Sequence, residues 1–326
     1  MKAVVLHSPG DILFESSWPA PIVPEEFTLF RVRASGICGS DLARIMKTGA
    51  YNHPMIPGHE FTGVVEETGE RAAVLPIIPC MKCPGCQVGP FHCEQYDFIG
   101  SRRDGGFAEL CAVPQSNFFS LPDSVSFEEG AFIEPLLVTL HVLRRSGMKP
   151  GARVLVFGGG AIGILIAQWA KVLGASEVVL ADIRDESLAV AEACGIAETV
   201  NPASDQFARI GEFDNVFEAA GSGGALLAAI DKAAANGMIT VVGRDVKGIV
   251  VPLEMFEKLM RKELDLKGCW GYDNRDEMEF LFDCLNADKF SLGPMITQRL
   301  ALADGPAMIR QMWNKEAFFC KAMFIV

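Results

Sequence analysis

The chain has 326 residues, half of them apolar, with 41 acidic against 29 basic side chains and a formal net charge of −12. That length and apolar content suit two domains, each with its own core. The acidic balance excludes nucleic acid as the main partner, because phosphate backbones need a basic surface.

The most apolar run, VLVFGGGAIGILIA from Val154 to Ala167, falls short of the roughly 20 residues that span a bilayer. No membrane partner is expected. The opening MKAVVLHSPGD has too few apolar residues for a signal peptide. A cytoplasmic protein is therefore expected, with its ten cysteines mostly reduced.

From residue 1 to about 135 the chain consists of short apolar runs broken by Pro and Gly: AVVLH, FTLFRVRA, FTGVVEE, AAVLPII and FAELCAV. Such runs predict the strands of a β-rich domain. Three patches within it carry chemistry-bearing side chains. GICGSDLARI holds Cys38 and Ser40, IPGHEFTG holds His59 and Glu60, and AFIEPLLVTLH holds Glu134 in apolar surroundings. A lone cysteine or histidine is more often packing than chemistry, and Glu134 also reads as a surface residue at a helix start. A thiolate, an imidazole and a carboxylate on separate loops can nevertheless build an open zinc site. A carboxylate in an apolar run is costly unless paired or bound to a metal.

PCMKCPGCQVGPFHCE places Cys80, Cys83, Cys86 and Cys93 close together, with Pro84, Gly85, Gly89 and Pro90 between them. Two C-x2-C steps sharing Cys83 suit a four-thiolate structural zinc site. An iron–sulfur cluster competes, since C-x2-C-x2-C also opens ferredoxin motifs, though those close with a shorter gap.

From GARVLVFGGG onward the texture changes to strand, glycine turn, helix, repeated. RVLVF precedes AIGILIAQWAKVLGA, and EVVLAD precedes ESLAVAEACG; NVFEAAG, GGALLAAIDKAA and MITVVGR follow. Alternating strands and helices predict a parallel, doubly wound α/β sheet. Gly158, Gly160 and Gly163 form G-x-G-x-x-G after the first strand, with Ala161 and Ile162 opening the helix and Asp182 ending the next strand. The glycines allow a tight turn, approach of a pyrophosphate and close helix packing, and the helix start offers N–H groups to phosphates. Asp182 can accept from both ribose hydroxyls and repels a 2′-phosphate, favouring NAD over NADP; Arg184 softens that preference. Ala220, Gly221, Val242 and Gly243 end the later strands and are expected to line the same cofactor site. The apolar end, FFCKAMFIV, predicts a buried terminal strand.

GICGSD, GHEFTG, the cysteine lobe, DGGFAE, IEPL and the glycine motif occur in this order along the chain. In this the chain resembles the zinc-dependent medium-chain dehydrogenases, and within them the polyol branch that includes sorbitol dehydrogenase. YDFIGSRRDGGFAE and the glutamate of FIEP most resemble the bacterial galactitol-1-phosphate 5-dehydrogenases. The resemblance implies a GroES-like catalytic domain, residues 1–138 plus 274–326, around an inserted Rossmann NAD-binding domain, residues 139–273. It implies that Cys38 and His59 hold a catalytic zinc, with Glu134 as third ligand or bridged through water and Glu60 as the exchangeable carboxylate. Ser40 matches the start of a proton relay, and Cys80, Cys83, Cys86 and Cys93 match the structural zinc lobe. It further implies a homodimer or homotetramer with a polyol or polyol phosphate as substrate; unphosphorylated sorbitol, xylitol and threonine are the alternatives within the class.

The chain departs from the family pattern in three places. The Cys86–Cys93 spacing is one residue shorter than usual, and VVEETGERAAVLP lacks about ten residues that relatives carry. Ala43 stands where many sorbitol dehydrogenases have a relay histidine, so the proton is expected to leave through Ser40 to cofactor ribose or water. A non-catalytic zinc and dinucleotide scaffold, the alternative of another class, predicts loss of the ligands; Cys38, Ser40, His59 and Glu134 are all present. Arg102 and Arg103 are the cations available to a substrate phosphate, unless they are merely solvated or ion-paired.

Overall fold

The computed structural model describes residues 1–244, 248–272 and 277–326. The chain divides into two units: Met1–Glu134 with Met278–Asn286 and Ile296–Val326, and Pro135–Glu277 with Ala287–Met295. The expected boundary at 273/274 lies outside the described residues. Segment 287–295, expected in the returning catalytic part, packs with the second unit instead. Ser291 N donates to Gln168 Oε1 at 2.7 Å, and the Phe290 ring stands 4.6 Å from Trp169, a fully buried side chain.

In the first unit the strand Phe27–Gly36 is the spine of a seven-stranded sheet. Its burial alternates along most of its length, as a strand with one face on a core requires. It pairs antiparallel with Glu60–Val65, Leu110–Pro114 and the terminal strand Lys321–Ile325. AAVLPII divides at Pro76, which cannot donate to a ladder, into Arg71–Val74 and Ile77–Ile78. The predicted terminal strand is present and buried over Lys321–Phe324.

Gly36 is where three strands converge on one point. It pairs with Glu60 on one side and Met323 on the other. A Cβ there would stand 2.4 Å from Glu60 Oε2 and 3.4 Å from Lys321 Cδ. Only a residue without a side chain leaves room for these two to meet above it.

The second unit is built on a six-stranded, wholly parallel sheet. Its spatial order is Glu198–Val200, Glu177–Ala181, Arg153–Phe157, Phe213–Glu218, Ala233–Val241, Asp265–Gly268. Counted along the chain this is 3-2-1-4-5-6, the doubly wound Rossmann order, with the reversal beside Arg153–Phe157. The central strands RVLVF and EVVLA are near-continuous apolar runs because helices such as Ala161–Val172 cover the sheet, while the edge strand Asp265–Gly268 is largely exposed and polar. The helix Gly223–Lys232 stops before the last alanines of GGALLAAIDKAA, which open the next strand. No helix among the described residues is long and apolar enough to cross a membrane.

Candidate active site and metal centres

Cys38 sits at the start of the short helix Gly39–Ala43. Its backbone N–H donates to Asp41 Oδ2 at 3.2 Å, the local contact that turns the chain here. His59 precedes the strand Glu60–Val65 and is buried. These elements bring ligand atoms of Cys38, His59 and Glu60 within 4.8 Å of one another.

Asp41 Oδ1 accepts from His59 Nδ1 at 3.0 Å, which leaves Nε2 as the ring nitrogen able to ligate. The imidazole sits among opposing influences. Burial disfavours its cation, while the charge and hydrogen bond of Asp41, followed by Cys38, favour it and carry its pKa well above the usual value. Ser40 Oγ donates to Cys38 Sγ at 3.3 Å and is exposed.

Glu60 is 1% exposed and is gripped by Lys321, 4% exposed, whose Nζ donates to its two carboxylate oxygens at 3.0 and 2.7 Å. Burial pulls the Lys321 ammonium down in pKa, but Glu60 and then Cys38 more than offset this and hold it raised. Glu134, in the first turn of the helix Ile133–Ser146, is buried. Its carboxylate is not within the 4.8 Å group, which contains Glu60 instead. It does feel the charges of His59, Glu60 and Lys321, and burial, the largest influence, pushes its pKa up to about 7.

A thiol, an imidazole and carboxylates thus share a buried neighbourhood whose low polarity resists their charges. A divalent cation stabilises such a set, and soft sulfur with borderline nitrogen suits zinc. The residues present fit the ion.

Cys80, Cys83, Cys86 and Cys93 likewise bring their sulfurs within 4.8 Å. The Cys80–Cys86, Cys83–Cys86 and Cys83–Cys93 sulfur separations are 3.8, 3.6 and 3.9 Å. Their shortened loop closes because Gly85 lies against His92, whose carbonyl oxygen would be 1.9 Å from a Cβ at that position. Backbone N–H groups near Lys82 and Cys83 lower the Cys80 thiol to about 6, while burial and its neighbours push Cys86 up to about 12. The cluster resists carrying several negative charges unaided, and four thiolates around zinc resolve that conflict. No disulfide forms among the described cysteines.

In the second unit Gly158 has φ of 105° and leaves the Arg153–Phe157 strand, while Gly160 caps the helix that Ala161 and Ile162 begin. A Cβ on Gly163 would stand 1.8 Å from the Gly158 carbonyl oxygen, so strand and helix can approach this closely only at glycine. Asp182 accepts from Gly159 N at 2.6 Å and Arg184 N at 2.8 Å, tying the next strand end to the glycine turn. The Arg184 residue is exposed. Glu218 joins the other two turns. Its side chain accepts from Gly221 N at 2.7 Å, next to Ala220, and its backbone carbonyl accepts from Val242 N and Gly243 N at 2.8 Å each.

Residues 25–123 match the alcohol dehydrogenase GroES-like domain and residues 161–287 match the zinc-binding dehydrogenase family. The chain belongs to the zinc-binding dehydrogenases, as a GroES-like domain joined to a Rossmann-like one. Galactitol 1-phosphate 5-dehydrogenase of Escherichia coli is 35% identical over 92% of both chains. The crystal structure of galactitol-1-phosphate dehydrogenase from Escherichia coli superposes with a TM-score of 0.91 at 33% identity, covering 100% of both chains. A zinc-binding dehydrogenase from Sinorhizobium meliloti, solved bound to NADP, gives 0.90 at 32% identity, covering 100% of this chain and 99% of the other.

Proposed function

We propose that this dehydrogenase oxidises a secondary alcohol of a polyol or polyol phosphate, of the galactitol 1-phosphate kind, to the ketose, with NAD accepting the hydride. The convergence of Cys38, His59 and Glu60 carries the reading, and the galactitol-phosphate relative supports the substrate class. Zinc bound there supplies the Lewis acidity that makes a secondary alcohol a feasible acid at neutral pH. Cys38 and His59 Nε2 are the residues that would hold it, with Glu60 or Glu134 as the carboxylate.

Asp41 keeps the His59 proton on Nδ1 and the ring in place. Ser40 relays the proton of the substrate hydroxyl, giving up its own to cofactor ribose or water as it accepts that one, since Ala43 supplies no further relay group. Lys321 holds Glu60 back, so that its negative charge is neutralised while it stands beside the site. The turn Gly158–Gly163 receives the pyrophosphate of NAD, and Asp182 the adenosine ribose. A nicotinamide dinucleotide bound in this way supplies the hydride acceptor. The Cys80, Cys83, Cys86 and Cys93 lobe holds the second, structural zinc.

A homodimer or homotetramer in the cytoplasm belongs to the same reading. Asp265–Gly268 is an edge strand with Leu266 exposed, and Val250, Val251 and Leu253 are exposed as well. An open strand edge, like exposed apolar side chains, is a feature that a second copy can cover. Polyols, polyol phosphates and threonine, each with NAD and NADP, test the reading by nicotinamide absorbance. Turnover of a polyol or its phosphate with NAD is expected. Absence of turnover with every substrate at full zinc content would overturn it.

A further inference from the structure

We infer that Arg102 is an anion-binding residue that takes the phosphate of a phosphorylated sugar alcohol, an inference that rests on the substrate reading above. The sequence offers two adjacent cations in GSRRDGG, and the structure separates them. Arg103 Nε donates to Asp97 Oδ2 at 2.7 Å, its Nη2 contacts the same oxygen, and its guanidinium lies 4.7 Å from the Phe27 ring centre. Its charge is neutralised and its donors are engaged, so it is withdrawn as a phosphate ligand.

Arg102 has no carboxylate partner among the described residues. Its guanidinium carbon lies 4.1 Å from the Tyr51 ring centre and 4.4 Å from that of Tyr96. Its Nε is removed from solvent without a hydrogen-bond partner. Holding a guanidinium between two rings restricts its rotamers and strips part of its hydration, which the ring faces offset only in part. The backbone fixes the arrangement: Asn52 Nδ2 donates to Arg102 O at 2.9 Å, Tyr51 N to Ser101 O at 3.2 Å, and Arg102 N to Phe98 O at 2.9 Å. The side chain is also hydrogen-bonded to Tyr96 and Tyr51, neutral phenols, so the cation is held in place with no carboxylate to neutralise it.

The aromatic contacts connect this cation with the site. Tyr96 meets Phe98 edge-on at 6.4 Å between ring centres, and Phe98 tilts against the His59 ring at 5.6 Å. Arg102 is thus two ring contacts removed from the imidazole of the metal set. A polyol phosphate likewise carries its anion several carbons away from the hydroxyl that is oxidised. A guanidinium presents a planar fork of donors that matches phosphate oxygens, and its stacking on Tyr51 and Tyr96 restricts the positions that fork can take. In a chain of net charge −12, a cation without a carboxylate partner favours an anionic ligand.

The test compares Arg102→Met and Arg102→Lys with the unaltered zinc-loaded enzyme, using a hexitol phosphate, the free hexitol and inorganic phosphate as inhibitor. Arg102→Met is expected to lower kcat/KM for the phosphate ester about ten- to a hundredfold more than for the free hexitol. It should weaken inhibition by inorganic phosphate in parallel, and Arg102→Lys should fall between. Equal losses for both substrates, or unaltered inhibition by phosphate, overturn the assignment. Wild-type turnover of the free hexitol alone overturns it too, while leaving the polyol reading standing. Turnover of neither hexitol overturns both.

Discussion

His59 Nδ1 stands 3.0 Å from Asp41 Oδ1, and both side chains are buried. The same carboxylate accepts from the backbone N–H of Cys38 at 3.2 Å. One side chain therefore orients two of the three residues whose ligand atoms converge, from a position three residues after the first and eighteen before the second.

Asp41→Ala is expected to weaken zinc affinity about 10–100-fold, the usual effect of losing such an outer partner. Asp41→Asn keeps one acceptor oxygen but sets an amide NH2 against the other donor, so it should recover only part of it. Chelator competition followed by elemental analysis reads the effect without reference to turnover.

Lys321→Met should destabilise the fold by about 3–5 kcal/mol, because it leaves the Glu60 carboxylate buried without its ammonium. Combining it with Glu60→Gln removes both charges and should restore much of the loss. Urea unfolding of the two single variants and the double variant measures this; additive losses would contradict it.

Gly36→Ala forces a methyl to within 2.4 Å of Glu60 Oε2. The expected cost is about 1–3 kcal/mol as strands or side chains shift. The loss should shrink in a Lys321→Met background, where Glu60 is no longer held in place.

Cys93→Ser removes the buried thiol of the lobe, whose Sγ accepts from Cys80 N at 3.3 Å. Zinc content should fall from about two ions per chain to about one, with a lower melting temperature. Elemental analysis with a thermal melt checks both.

Much of this was legible in the sequence. The strand, glycine turn and helix texture predicts the Rossmann unit because central parallel strands covered on both faces, such as RVLVF, read as apolar runs. Cys38 and His59 read singly as packing and become recognisable through GICGSD and GHEFTG in their order along the chain, and the four clustered cysteines have few other uses. Asp41 was harder to see, since an acid in a first helical turn ordinarily complements the helix dipole. Its bond to His59 exists only once the two loops meet. Lys321 carries the same signal as Glu134: a lysine inside the apolar FFCKAMFIV is costly unless paired. Its partner Glu60 lies 261 residues earlier in the chain, and only the pairing of both strands with Phe27–Gly36 brings them together. Arg102 and Arg103 look alike in sequence, and the fold distinguishes them by pairing Arg103 with Asp97 and stacking Arg102 on Tyr51 and Tyr96.

Anomalous diffraction at the zinc edge, from crystals of the zinc-loaded protein, tests the central claim most directly. The account predicts one peak among the four lobe sulfurs and a second about 2.3 Å from Cys38 Sγ and about 2.0–2.1 Å from His59 Nε2. A fully loaded crystal with the lobe peak alone, and no density for an ion between Cys38 and His59, would contradict it.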